Sequence, residues 1–129
     1  MNEPSVKADE LAKTVIDACI EVHRALGPGY LESVYEEALA KELALRQIPF
    51  ERQKAIDVNY KGESVGQARL DLLVGGLLVV ELKAVESLVP IHTAQVISYL
   101  KAGTFQLGLL INFNTTLLKH GIKRIALTH

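Results

Sequence analysis

Three ionisable residues stand inside two apolar stretches near the centre of the sequence. Asp71 lies in RLDLLV, and Glu81 and Lys83 lie in VVELKA. Burying unpaired charges among leucine and valine side chains is costly in free energy. Two carboxylates beside one ammonium are explained if they share a hard divalent cation such as Mg²⁺, which prefers oxygen ligands. The pattern therefore predicts a metal site, with Mn²⁺ as the alternative ion and Lys83 facing the substrate.

The turn between the two stretches decides whether these side chains can meet. Side chains alternate along a strand, and opposed residues of an antiparallel pair share a face. A two-residue turn at Gly75-Gly76 would send Asp71 and Glu81 to opposite faces. A three-residue loop over Gly75–Leu77 places them opposite each other, with Lys83 on the same face. We predict this loop, which also gathers the apolar residues of the other face, Leu70, Leu72, Val74, Leu78, Val80 and Leu82.

The rest of the chain predicts helices around a mixed sheet. Apolar residues recur every three or four positions from Val6 to Leu26, a helical period that ends at Gly27-Pro28-Gly29. A second helix is predicted roughly from Tyr30 to Gln47, with Leu31, Val34, Tyr35, Ala38, Leu39 and Leu43 facing inward. Strands are predicted at 56–60, 65–74, 77–84, 105–113 and 122–127, and a third helix at 90–102. The order ααβββαββ predicts an α/β fold and one domain over residues 1–129.

Composition limits the classes of function. With 129 residues, 49% of them hydrophobic, the chain suits one domain with a sizeable core that includes Cys19. A net charge of −1 argues against a general basic field, so any contact with nucleic acid must be local. One cysteine excludes an intrachain disulfide or a cysteine-ligated metal site. The polar start MNEPSVKADE and the short apolar runs predict a cytoplasmic protein with no membrane segment.

Longer motifs are similar to a known family. The pattern Asp-x9-Glu-x-Lys on a hairpin, after a helix with a glutamate and before one with a glutamine, resembles the PD-(D/E)XK nuclease superfamily. Within it, the segment Gly29-Tyr30-Leu31-Glu32-Ser33-Val34-Tyr35 matches the pattern of the GxxExxY family. The stretches EVHRALGPGYLESVYEEAL, VELKAVESLVPIHTAQVISYLK and LGLLINFN also look like that family. Leu70 stands where the superfamily name has proline, a position that varies. The resemblance implies a restriction-endonuclease-like core of three layers.

The resemblance also implies metal-assisted hydrolysis of phosphodiester bonds in nucleic acid, with DNA and RNA both open. Asp71, Glu81 and the backbone carbonyl of Leu82 would hold Mg²⁺, which would polarise the phosphate. Glu32 would complete the metal shell. Lys83 would position or activate the attacking water.

Four further side chains are predicted near the substrate. Gln95 matches the glutamine that many members carry after the lysine motif. His92, Gln95 and Tyr99 fall on one helical face, which is expected to contact substrate. Tyr35 lies one turn beyond Glu32, and its hydroxyl is expected to orient Glu32 or to bind a phosphate.

Structural roles stand beside these functional ones. The central trio could be an ion network that fixes strand register. Glu32 could be solvated, Tyr35 a core residue, and His92 a helix cap. His23, at the end of the first helix, suits a partner for the helix C-terminus. The basic residues Arg52, Lys54, Lys61, Lys119, His120, Lys123 and Arg124 are surface residues by default, although they could follow a phosphate backbone.

Other functions remain open at this level. A binding module could keep the fold and hold a nucleic acid, a nucleotide or a protein without chemistry. An oligomeric structural protein is a third reading. A homodimer also suits a nuclease, because one small domain offers little surface for a duplex.

Overall fold

Helices and strands follow one another in the predicted order. The computed structural model describes residues 4–127. Its elements are α1 (Val6–Leu26), α2 (Glu32–Leu45), β1 (Phe50–Tyr60), β2 (Glu63–Val74), β3 (Leu78–Lys83), α3 (Pro90–Gly103), β4 (Leu107–Asn112) and β5 (Ile122–Ala126). A short 3₁₀ helix over Leu118–Gly121 precedes β5. The α/β class and the order ααβββαββ are confirmed.

One mixed sheet holds the five strands in the order β1-β2-β3-β4-β5. The β3–β4 pair is parallel and the other three pairs are antiparallel. Parallel neighbours need a crossover connection, and α3 supplies it. The central strands β3 and β4 are buried along almost their whole length, as their continuous apolar runs predict.

The sheet lies between two helical layers. On one face α1 and α2 pack over Leu72, Val80 and neighbouring apolar residues. On the other face α3 packs over Leu73 and Val79. Gly108 lets α3 approach closely, because a Cβ there would lie 2.9 Å from Val96 Cγ1. This three-layer arrangement is consistent with the restriction-endonuclease-like fold that the resemblance implies.

Helix α1 has the predicted bounds and clear local signals at both ends. Ser5 Oγ accepts a hydrogen bond from Ala8 N at 3.1 Å, and Gly27 ends the helix with φ +70°. Cys19 is fully buried on its inner side, and burial raises the pKa of its thiol. None of the helices within residues 4–127 is long and apolar enough to cross a membrane.

Helix α2 begins two residues later than predicted, and two of its predicted inward residues face solvent. Leu31 is 75% exposed and Val34 is 37% exposed. Leu31 has extended backbone at the N-cap, so its side chain does not join the helical stripe. The inner side of α2 is a narrow stripe of Tyr35, Leu39 and Leu43 at intervals of four residues.

The apolar face predicted for the central hairpin is correct except at one position. Five of its six residues pack together under α1 and α2, but Leu70 packs on the other side of the sheet with Leu73 and Val79. The same reversal occurs in β1, where Phe50 packs on the α1 and α2 side and Ile56 on the α3 side. Regular strands keep residues of equal parity on one face. Both strands therefore turn over near Asp71, so that residues of equal parity before and after this point lie on opposite faces of the sheet.

Candidate active site

The hairpin between β2 and β3 has the predicted three-residue loop. The paired residues are Leu72↔Val80, Leu73↔Val79 and Val74↔Leu78. Gly75 and Gly76 both adopt positive φ, +59° and +70°, which glycine tolerates without strain. Continuing this register by one residue places Asp71 opposite Glu81. The predicted three-residue loop and the register of the paired residues are confirmed.

Asp71 and Glu81 are held by reciprocal hydrogen bonds between their strands. The backbone N–H of Asp71 donates to Glu81 Oε1 at 2.9 Å, and the backbone N–H of Leu82 donates to Asp71 Oδ2 at 2.9 Å. The regular ladder ends one residue earlier, so carboxylate oxygens here accept bonds that a backbone carbonyl would take in a regular sheet. Each carboxylate is fixed through one oxygen.

The electrostatics of this pair are those of a site without enough positive charge. Glu81 is 3% exposed, and its pKa is raised to about 8. Burial is the larger cause and the negative charge of Asp71 the next, while the Asp71 N–H and the charge of Lys83 act in the opposite direction. A protonated Glu81 also hydrogen-bonds the Asp71 carboxylate. In the absence of a cation, burial and the neighbouring negative charge therefore favour the neutral form of Glu81.

Lys83 approaches this pair without closing a salt bridge. Its Nζ donates to Gln95 Oε1 at 3.1 Å. Among residues 4–127 no salt bridge joins Lys83 to Asp71 or Glu81. A closed ion network that fixes register is therefore a poor description of the trio.

Tyr99 belongs to the same neighbourhood on α3. Its pKa is raised, first by burial and then by the negative charges of Glu81 and Asp71. A hydrogen bond with the Gln95 side chain acts in the opposite direction. The structure thus brings Gln95 and Tyr99 to the site, one helical turn apart.

Glu32 approaches the site from α2 but remains exposed. Its pKa is raised by partial burial first and by Asp71 second, and the charge of Lys83 acts in the opposite direction. Within residues 4–127 no three histidine, cysteine, aspartate or glutamate side chains converge in an arrangement that could hold a metal ion. In this conformation Glu32 is therefore not joined to Asp71 and Glu81 as a third ligand.

The donor set nevertheless fits Mg²⁺. Magnesium in proteins is usually bound by one or two carboxylates, and water and substrate phosphate fill its other positions. Asp71 and Glu81 supply two carboxylates on opposed strands, and the raised pKa of Glu81 reflects its burial beside a second negative charge.

Two predicted site residues have structural contacts instead. Tyr35 is fully buried and stacks on Phe113 with ring centroids 4.5 Å apart. Its hydroxyl donates to Gly27 O at 2.6 Å and accepts from Tyr30 N at 3.1 Å, which fixes the loop before α2. His92 Nδ1 accepts from the backbone N–H of Val89 at 3.1 Å at the start of α3.

Buried polar contacts hold the chain just after Lys83. Asn112 Oδ1 accepts from Val85 N at 3.0 Å, and Asn112 Nδ2 donates to Val85 O at 2.9 Å. The backbone N–H of Phe113 donates to Lys83 O at 2.9 Å. Sequence reasoning missed Asn112, although an asparagine at the end of the apolar run LGLLIN was a usable signal.

A polar cleft of about 450 Å³ opens beside Asp71, lined by Glu32, Ser33, Glu36, Glu37, Arg52, Gln53 and Asp71. The Arg52 guanidinium donates to Glu36 Oε2 at 3.0 Å and to Glu37 Oε1 at 2.8 Å. Arg52 is thus the one predicted basic residue among those that line this cleft, and two glutamates already hold it. His23 lies elsewhere, with Nε2 donating to Thr115 O at 2.8 Å.

A family model of the PD-(D/E)XK nuclease superfamily matches residues 9–125, which include every candidate residue of the site. No curated protein and no solved structure matches the chain.

Proposed function

Because the chain belongs to the PD-(D/E)XK nuclease superfamily, we propose that it is a metal-dependent nuclease that hydrolyses phosphodiester bonds in nucleic acid. Its reacting set would be Asp71, Glu81 and Lys83. The observation that carries the proposal is the pair of carboxylates on opposed strands, each fixed by a hydrogen bond from a backbone N–H group of the facing strand.

Asp71, Glu81 and the backbone carbonyl of Leu82 would hold Mg²⁺ or Mn²⁺. When bound, the ion would polarise the phosphate and make a bound water more acidic. The N–H groups of Asp71 and Leu82 keep one oxygen of each carboxylate in place, so little rearrangement is needed. Glu81 would have to lose its proton to hold the ion, so binding should be tighter at higher pH. Glu32 would approach as a further ligand.

Lys83 would act on the reacting atoms from the α3 side. Its ammonium has three donors, and Gln95 accepts one of them. The remaining donors would contact a phosphate oxygen or the attacking water. Tyr99, beside Gln95, would supply a hydroxyl to the same phosphate. His92 and Tyr35, whose polar atoms bond to the protein, have weaker support as substrate contacts.

The proposal includes three finer statements. The segment Gly29–Tyr35 supports membership of the GxxExxY family. The small size supports a homodimer in which two copies contact one nucleic acid, and the composition supports a cytoplasmic location.

The test is cleavage of mixed single-stranded and duplex DNA and RNA by wild type, Asp71→Asn and Asp17→Asn, with Mg²⁺, with Mn²⁺ and with chelator. Asp17 is an exposed residue of α1 and serves as a matched control. We expect cleavage by wild type and Asp17→Asn, and none by Asp71→Asn or with chelator. Cleavage that survives in Asp71→Asn would be due to a contaminant or to another site and would end the proposal.

One observation favours a second function, a binding module without chemistry. The cleft beside Asp71 is lined by four carboxylates and one arginine, and the described chain has no three-ligand metal group. A metal-free cleft of this charge repels a phosphate backbone, so such a module would hold a nucleic acid on another surface or bind a protein here. Nucleic-acid binding that falls with salt and survives Asp71→Asn, without cleavage by wild type, would establish the module.

A further inference from the structure

The carboxylate of Asp71 sits where the β1–β2 hairpin turns over. Pairing runs through Arg52↔Leu72 and resumes at Lys54↔Leu70 in the same register, while Gln53 and Asp71 face each other outside the paired positions. On one side of this point Phe50 and Leu72 pack under α1 and α2, as described above. On the other side Ile56 and Leu70 pack under α3.

Gln53 has an unusual backbone at this point. Its φ is +50°, in the left-handed region, which residues other than glycine, asparagine and aspartate seldom adopt. Both ends of the residue are held: Gln53 Nε2 donates to Glu36 Oε1 at 2.9 Å, and Gln53 O accepts from Arg69 at 3.1 Å. Strained backbone of this kind persists only where its surroundings determine it, and it is common at functional sites.

We infer that Gln53 is a positioning residue for the metal site, whose left-handed backbone turns the hairpin over and aims the Asp71 carboxylate at Leu82 N–H. The importance of this role for catalysis rests on the proposed function, whereas the backbone geometry of the hairpin does not depend on it. A regular pair at Gln53 and Asp71 would keep Leu70 and Leu72 on one face, and Asp71 would keep the regular orientation of its strand.

Two other causes could turn the hairpin over. Long two-stranded ribbons coil by their own twist. The side-chain bond from Gln53 to Glu36 could also pull β1 toward α2. Substitutions at Gln53 separate these causes, because glycine and valine both remove the side-chain bond but differ in backbone preference. Glycine adopts positive φ freely, whereas a β-branched residue resists it.

The variants are Gln53→Gly, Gln53→Asn, Gln53→Ala and Gln53→Val. Lys61 provides a matched control, because it also has φ +50° but lies in the exposed turn between β1 and β2. Lys61→Gly and Lys61→Val impose the same backbone change away from the site.

Two measurements are made on each folded variant. Hydrogen exchange of the Asp71 and Leu82 amides by NMR, in protein without metal, reports the two reciprocal bonds. Isothermal titration of Mn²⁺ and Mg²⁺ reports the assembled site. We expect Gln53→Val to lower amide protection and metal affinity at least about tenfold, while the glycine and asparagine variants stay within about threefold of wild type. Gln53→Ala should lie between them, and it replaces the valine variant if that does not fold.

Equal effects of glycine and valine at Gln53 would overturn the inference in favour of the side-chain bond. Unchanged protection in every variant would overturn it in favour of ribbon twist. A loss in Lys61→Val as large as in Gln53→Val would show a general weakening of the hairpin and would also overturn it. If wild type binds no metal, the proposed function fails, and the exchange data still decide the role of Gln53.

Discussion

Two pairs of carboxylates, one lining the cleft and one that extends from it through Asp71 to the buried Glu81, differ in what neutralises them. Glu36 and Glu37 accept hydrogen bonds from Arg52, and the pKa of Glu37 is lowered, first by that bond and then by the charge of Arg52. Asp71 and Glu81 accept bonds from backbone N–H groups, and the pKa of Glu81 is raised to about 8, first by burial and then by the charge of Asp71. The first pair has its cationic partner within the protein, whereas the proposed function supplies a cation to the second.

The largest expected effect distinguishes the role of Lys83 from that of the proposed metal ligands. Lys83→Met should lower cleavage by on the order of 10²–10³-fold, because it removes the charge that we propose contacts the reacting atoms. Its metal affinity should stay near that of wild type, whereas Glu81→Gln should lose both. The control is Lys101→Met, because Lys101 is an exposed residue of α3. Cleavage rates and isothermal titration on the same samples decide this, and weak metal binding by Lys83→Met would contradict the assigned roles.

The next effect is a loss of stability of the metal-free protein as pH rises. The folded pKa of Glu81, about 8, lies above its ordinary value of 4.5. The stability contributed by the protonated group is therefore fully present below about pH 4.5 and lost as pH rises through 8. Urea unfolding of Glu81→Gln should lack this loss, and at pH 9 the variant should be more stable by on the order of 2 kcal/mol.

Adding Mg²⁺ gives a second check on the predicted loss of stability at high pH. The ion should restore stability to wild type at pH 9 and leave Glu81→Gln unchanged. Parallel curves for the two proteins from pH 5 to 9 would show that Glu81 is already neutralised by the protein.

A smaller effect is expected at Tyr35, whose partners all come from the protein. Tyr35→Phe removes the bonds to Gly27 O and Tyr30 N and should lower the free energy of unfolding by about 1–2 kcal/mol. Cleavage per folded molecule should not change. A drop in cleavage without a change in stability would instead place the hydroxyl on the substrate.

The smallest effect is expected at Glu37, an exposed carboxylate that already has Arg52 as its partner. Glu37→Gln removes one of two carboxylates from Arg52, and Glu36 keeps the guanidinium in place. Exposed ion pairs add little to stability, so the melting temperature should match that of wild type within experimental error. Glu36→Gln is the informative partner variant, because Glu36 also accepts from Gln53 and should give the larger change.

The central hairpin was predictable because few alternatives existed. Only two short loops were plausible at Gly75-Gly76, and only one of them placed Asp71 and Glu81 together without dispersing the apolar residues. In the same way, the apolar runs and the helical spacing of apolar residues were enough to predict the order of strands and helices. Long-range requirements, here charge and burial, agreed with the local turn signal.

Other features depend on contacts that spacing does not reveal. Helical periodicity placed Tyr35 and His92 on plausible faces, but it says nothing of the Gly27 carbonyl and the Val89 N–H that bond them. Leu31 fitted the apolar stripe of α2, yet it is the N-cap and lies outside that stripe. Glycine and asparagine are the usual indicators of positive φ, and position 53 has glutamine. Nothing in the sequence therefore indicated that the hairpin turns over at this residue.

The single cysteine offers a way to follow the whole fold without adding a label site. Cys19 is fully buried on the inner side of α1, and burial raises the pKa of its thiol, so an alkylating reagent cannot reach a reactive thiolate in the folded state. Modification therefore requires an opening that separates α1 from the sheet. Its rate across reagent concentrations measures the free energy of that opening, and any ligand that binds the folded protein slows modification in proportion to its occupancy.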